Sequence, residues 1–251
     1  QFVSGMAKAT AESGLRGKLA KSAMDCGTGL PAVWQKTTQE ELDKQLEDLE
    51  KYHNTADGRV QVWFGLRTIF NNTDDLIVKT KELADKYNVG IHMHVAEAKS
   101  EIDYTNEVYG ENTVTHLHKL GVLDKNLLAV HTVWLTNEEI DLFKKYDVKV
   151  SHNPASAMRV LGFAKIPQML NKGVCVSIGT DGASSSNRPM SVERVTERSS
   201  GLGIPRLMVK LACGSQSTSS TFLRSCANPM PRLAVVVVLP TPPFGLAMAM
   251  V

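Results

Sequence analysis

The sequence has 251 residues, 43% hydrophobic and 22% charged, which fits a soluble protein with one α/β core. A formal net charge of +2 gives no reason to expect nucleic acid or an anionic membrane as a partner. The four cysteines are scattered, without a C-x-x-C pair or the density of a disulfide scaffold, which predicts a cytoplasmic location.

Short β-branched runs alternate with amphipathic segments from about residue 17 to 182, which predicts repeated βα units and a parallel sheet. Most of the runs are continuously apolar, as expected of strands buried on both faces. The predicted strands are residues 17–24, 59–64, 89–95, 127–133, 148–152 and 174–179. Six such units leave two architectures open, a doubly wound sheet or a barrel that lacks some units.

Helix boundaries are marked by capping residues. Thr38 with Glu41 and Thr136 with Glu139 have the spacing of capping boxes, so each pair predicts a helix start. Gly173 is predicted to end a helix just before the last strand, because glycine readily adopts the left-handed conformation found there.

The pattern is lost beyond residue 190. No acidic residue follows Glu197, a Ser/Thr-rich stretch covers residues 215–221, and prolines interrupt the apolar stretch 233–251. Those prolines argue against a membrane-spanning helix. We therefore divide the chain into a partial barrel, residues 1–190, and an unrelated, poorly ordered tail, residues 191–251.

Polar side chains follow the carboxyl ends of the predicted strands, where parallel βα folds build their sites. These residues are Arg67; His92, His94 and Glu97; His131; His152 and Asn153; and Thr180 and Asp181. Buried charges without partners are costly, so their recurrence at equivalent positions favours a site.

A zinc-type site needs imidazole and carboxylate donors, which His94, His131 and Asp181 supply. Glu97, three residues beyond His94, could shuttle protons beside it. Each residue alone also fits a structural role: a core histidine, a helix N-terminal glutamate, or an Asp-Gly turn. No P-loop, Rossmann or G-x-S-x-G motif follows a strand.

Four ordered segments contain most of these polar residues: Ile91-His92-Met93-His94-Val95-Ala96-Glu97, Val130-His131-Thr132-Val133-Trp134-Leu135-Thr136, Ser151-His152-Asn153-Pro154-Ala155-Ser156 and Ile178-Gly179-Thr180-Asp181-Gly182-Ala183. Together they resemble the amidohydrolase superfamily, in its branch of methylthioadenosine and S-adenosylhomocysteine deaminases, guanine deaminases and chlorohydrolases. The resemblance implies a (β/α)8 TIM-type barrel flanked by a β-sandwich. We expect an incomplete barrel in a truncated chain, with strands three to eight present and strands one, two and the sandwich missing.

The resemblance also implies roles for the polar residues. His94 and Asp181 would be metal ligands, and Asp181 would also be the base for the hydrolytic water. Glu97 would be the proton shuttle, and His131 would orient the water. The family's first strand carries two further ligands, for which nothing before His53 is a substitute.

Arg67 marks a departure, because it stands in Gly65-Leu66-Arg67 where many relatives have Gly-Pro-His with a histidine that contacts substrate. We expect Arg67 to bind substrate through its fork of donors, together with His152 and Asn153.

The resulting hypothesis is a hydrolytic deaminase of an aminopurine nucleoside or related amino-heterocycle, using one divalent metal, Zn²⁺. Its enzymatic alternative is a chlorohydrolase. A third hypothesis is a non-catalytic remnant or scaffold whose two parallel sheet edges are exposed. The expected partner is a small-molecule substrate, without nucleic acid or membrane, and a homo-oligomer stays open.

Overall fold

The computed structural model describes residues 2–27 and 36–182, together with the backbone of residues 219–221 and 235–238. Six strands pair in parallel in chain order, as the sequence predicts. They are β1 (Gly17–Ala23), β2 (Val60–Leu66), β3 (Ile91–Val95), β4 (Leu127–His131), β5 (Lys149–His152) and β6 (Cys175–Ile178). The prediction of a partial TIM-type barrel is confirmed.

Two short strands complete the ring, β7 (Ser219–Thr221) and β8 (Val235–Val238). β7 is antiparallel to both β6 and β8, and β8 runs parallel to β1. The edges of β1 and β6 are therefore paired, whereas the remnant hypothesis left them exposed. Most of the predicted tail lies outside the described residues. The four successive valines of β8 favour a strand, because β-branched residues are enriched in strands.

Helices follow most strands and pack outside the barrel. They are α1 (Phe2–Ser13), α2 (Thr38–Tyr52), α3 (Thr55–Gly58), α4 (Asp74–Tyr87), α5 (Lys99–Tyr109), α6 (Thr113–Lys119), α7 (Asn137–Lys145), α8 (Pro154–Ser156) and α9 (Ile166–Asn171). A 3-10 turn at Ile69–Asn71 and a π-helical turn at Ala157–Leu161 complete the elements. No helix in residues 2–27 or 36–182 is long and apolar enough to cross a membrane.

The predicted helix boundaries hold at two of three positions. Thr136 and Glu139 form the expected capping box of α7, and Gly173 has φ 74 just beyond α9. The α2 box is one residue earlier than predicted, at Thr37 and Glu40. The predicted pair instead joins α2 to the barrel: the Thr38 hydroxyl donates to Asp25 Oδ2 at 2.7 Å, and Glu41 pairs with Lys21 of β1.

The core lies between the barrel wall and these helices. Strands β3 and β4 are buried along their whole length, because helices cover one face and the barrel interior covers the other. Phe64 of β2 and Phe143 of α7 are the largest fully buried side chains. Burying one such side chain stabilises the fold by about 1.5–3 kcal/mol.

Candidate metal and catalytic site

The ends of β3 and β4 are tied together by backbone hydrogen bonds. Thr132 N donates to Val95 O at 3.1 Å, and the amides of Val133 and Trp134 both donate to Ala96 O at 3.0 Å. Ala96 has φ 49, His131 at the end of β4 has φ 71, and Thr132, the next residue, has φ 50. All three lie in the left-handed region, which costs L-residues energy. These turns end β4 two residues earlier than predicted.

A buried donor group forms where these strands end, and we call it the His94–Glu97–His131 group. His94 Nδ1 lies 3.3 Å from Glu97 Oε2, and His131 Nε2 lies 3.5 Å from Glu97 Oε1. The ring centroids of the two histidines are 5.0 Å apart. One ligand atom from each residue lies within 4.8 Å of the others. Two imidazoles and one carboxylate match the ligand types that zinc takes in catalytic sites, so the residues fit such an ion.

The electrostatics of this group favour a neutral imidazole beside a carboxylate. Burial, and then the charge of Arg67, lower the pKa of His94 to about 4. Burial opposes ionisation of Glu97, but His131, His94 and Arg67 outweigh it and hold the Glu97 pKa below its ordinary value. At neutral pH, His94 therefore keeps a lone pair for a ligand and Glu97 can accept a proton.

Glu101, in the first turn of α5, supports the loop that carries Glu97. Its carboxylate accepts from Ala96 N at 2.7 Å, Glu97 N at 2.9 Å and Thr113 Oγ1 at 3.0 Å. Burial raises its pKa to about 7 despite these donors. Sequence reasoning missed Glu101; the available signal was an acidic residue four positions after Glu97 at the start of a helix.

Arg67, expected to meet substrate, contacts His94. Its Nη1 lies 2.8 Å from His94 Nδ1 and 3.2 Å from His94 Nε2. The backbone on both sides is fixed, because Arg67 N donates to Ala23 O at 3.1 Å and His94 N donates to Arg67 O at 3.0 Å. The predicted substrate-binding residue therefore contacts the donor group through His94.

His92 lies one strand period before His94, and the two rings meet edge to face at 5.9 Å between centroids. Burial, and then His94, lower its pKa to about 3, and its Nε2 has no hydrogen-bond partner among the described residues. His92 is not in the donor group.

The ends of β5 and β6 carry the remaining predicted site residues. His152 is half-buried, and burial and then His131 lower its pKa. The side-chain oxygen of Asn153 lies against Gly179, whose amide donates to His152 O at 2.8 Å. Asp181 follows β6 with φ 59, and its Oδ1 accepts from Gly182 N at 2.6 Å. Asp181 is not in the donor group, so its assignment as a metal ligand stays a prediction.

A sequence model of the Amidohydrolase family matches residues 1–216. The chain belongs to the amidohydrolase family. The match passes residue 190, and the predicted division there stays a prediction.

Curated amidohydrolase relatives have deaminase names. This amidohydrolase is 35% identical over 195 residues to a 5'-deoxyadenosine deaminase of Methanobrevibacter smithii, covering 77% of this chain and 43% of the relative. It is 34% identical over 200 residues to a 5-methylthioadenosine/S-adenosylhomocysteine deaminase of Thermoanaerobacter pseudethanolicus, covering 77% and 44%. The chain thus spans less than half the length of these relatives.

A solved structure supports the same assignment. The amidohydrolase resembles an adenosine deaminase from Xanthomonas campestris with bound zinc, with a TM-score of 0.67 and 26% identity, covering 74% of this chain and 41% of that one. The two chains share a fold, and that relative was solved with zinc bound.

Proposed function

We propose that this amidohydrolase is a metal-dependent hydrolytic deaminase of an aminopurine nucleoside or related amino-heterocycle. The observation that carries the proposal is the buried His94–Glu97–His131 group at the carboxyl ends of β3 and β4. The deaminase names of its relatives support loss of ammonia over loss of chloride.

The metal we propose is one divalent ion, Zn²⁺, held through His94, with Asp181 as a further ligand. Bound there, zinc would act as a Lewis acid that makes a water molecule more acidic. His131 is buried beside Glu97 and is the residue we assign to orient that water.

Proton transfer falls to two carboxylates. Asp181 would take a proton from the water, which adds to the ring carbon that bears the amino group. Glu97, whose side chain is 20% exposed, would take the second proton of the water and deliver it to the adjacent ring nitrogen. Asp181 would pass its proton to the departing amino group, so that ammonia leaves and the ring carbon keeps the oxygen. Arg67, His152 and Asn153 are the residues we assign to the substrate.

The decisive variant is Glu97→Gln, which keeps the size of the side chain but removes its proton transfer. We expect ammonia release from a panel containing adenosine, 5'-deoxyadenosine, 5-methylthioadenosine and S-adenosylhomocysteine to fall at least about a hundredfold. The matched control is Glu107→Gln on the exposed face of α5, which should keep the wild-type rate.

Unchanged ammonia release in Glu97→Gln would refute the assigned shuttle. Chloride release from a chlorotriazine, without ammonia release from the panel, would support the chlorohydrolase alternative instead. If the full chain releases neither product, the non-catalytic alternative stands.

A cytoplasmic location remains a prediction from cysteine usage. Cys26 is a free thiol, as expected in a reducing compartment. We keep a small molecule as the proposed partner and leave self-association open.

A further inference from the structure

We propose that Arg67 is an internal cation that competes with the divalent metal for His94. The inference rests on the proposed metal-dependent function. It starts from the contact of one Arg67 nitrogen with both ring nitrogens of His94, at 2.8 and 3.2 Å.

The contact places the guanidinium against the face of the His94 ring. One nitrogen can lie 2.8 Å from Nδ1 and 3.2 Å from Nε2 of the same imidazole only above the ring, because an in-plane position between them would overlap Cε1. The guanidinium therefore crowds both of the nitrogens through which His94 could hold a metal ion.

Charge acts in the same direction. The guanidinium carries a permanent positive charge, and repulsion between cations is strong where water is largely excluded, as around the buried His94. Arg67 therefore raises the free energy of any divalent ion held by His94 while it remains in contact.

The side chain of Arg67 is able to move away from His94. Its backbone is fixed at the end of β2, but its side chain is half-buried. Within residues 2–27 and 36–182, no carboxylate oxygen lies within ion-pair distance of its guanidinium. A long, flexible side chain whose hydrogen-bond partner is a neutral ring can swing away when a stronger cation binds.

The test is the zinc affinity of the full chain, measured by competition with a chromophoric chelator after removal of metal. Arg67→Gln removes the charge and should bind zinc at least tenfold more tightly than wild type. Arg67→Lys keeps the charge and should bind within about threefold of wild type. Arg59→Gln is the matched control, because it removes the same charge at a site away from His94. The Arg59 side chain donates to Ala11 O in α1.

The sign of the effect separates competition from support. If Arg67 merely held the His94 ring in place, Arg67→Gln would bind zinc more weakly. Equal or weaker zinc binding in Arg67→Gln, an equal gain in Arg59→Gln, or no zinc binding by any variant overturns the proposal. Thermal unfolding of each variant checks its fold, and Arg67→Met supplies the same test if Arg67→Gln is unfolded.

The ammonia assay keeps this proposal distinct from the proposed function. Tighter zinc binding by Arg67→Gln, together with no ammonia release by zinc-loaded wild type, would support competition and count against the deaminase. Ammonia release by wild type, with the same zinc affinity in Arg67→Gln as in wild type, would support the deaminase and count against competition.

Discussion

A Cβ atom added at Gly179 would lie 2.2 Å from Asn153 Oδ1 and 3.1 Å from Ser151 Oγ. Neither neighbour has room to retreat, because both residues are buried at the end of β5. One added methyl group at residue 179 would therefore displace the side chain of Asn153, a predicted substrate-binding residue.

We expect Gly179→Ala to lower the free energy of unfolding by about 1–3 kcal/mol, as overpacking of a filled interior does. Urea denaturation monitored by circular dichroism measures it. Gly5→Ala is the control with the opposite sign: nothing lies within 4 Å of its Cβ position, and alanine in a helix is more stable than glycine by about 0.5–1 kcal/mol. Equal effects of the two substitutions would contradict the steric argument.

At the scale of elements, Glu101 links the start of α5 to the end of β3 and to Thr113 of α6. Its folded pKa of about 7 lies above the ordinary value of 4.5, so the folded chain binds this proton more tightly than the unfolded chain does. The stabilisation is complete below pH 4.5 and is lost as the pH rises through 7.

As the pH rises from 5 to 8, we expect Glu101 to lower the free energy of unfolding of wild type by up to roughly 3 kcal/mol. His92 and His94 act oppositely, because their lowered pKa values make the fold less stable as the pH falls below 6.5. The difference between wild type and Glu101→Gln isolates the carboxylate, and its dependence on pH is read from urea midpoints. Glu107→Gln should follow the wild-type curve; if Glu101→Gln does so too, Glu101 does not titrate in this range.

The sequence predicts elements better than it predicts contacts between them. The β-branched and apolar runs identify all six parallel strands, and most of these runs are continuously apolar because burial on both faces leaves a pattern in adjacent residues. The α2 cap is displaced by one residue since the neighbouring pairs Thr37–Glu40 and Thr38–Glu41 have the same spacing, and only the contacts with β1 distinguish them. The Arg67–His94 contact joins two strands and has no local signature.

At the scale of the whole molecule, the barrel is closed by β7 and β8. These two strands lie beyond the alternating βα pattern, which ends at about residue 182. β8 pairs with β1 and β7 with β6, so the frame that holds the candidate site depends on residues far along the chain. The His94–Glu97–His131 group itself draws on two neighbouring strands, and unfolding separates its members.

Zinc should stabilise the folded chain, because its proposed ligands, His94 in β3 and Asp181 after β6, belong to different strands and only folding can bring them together. At a hundredfold excess of zinc over its Kd we expect the free energy of unfolding to rise by about 2.7 kcal/mol, measured from thermal unfolding with and without the ion. Calcium, which prefers six to eight oxygen ligands, should have little effect.

His94→Asn should abolish the stabilisation by zinc. His118→Asn should retain it, because the His118 ring contacts Tyr146 and is not in the donor group. If zinc stabilises His94→Asn as much as wild type, the ion binds elsewhere and the strand-end histidines are not its ligands. If it stabilises neither wild type nor His118→Asn, the donor group in this chain does not hold zinc, and the chemistry proposed for Glu97 loses its Lewis acid.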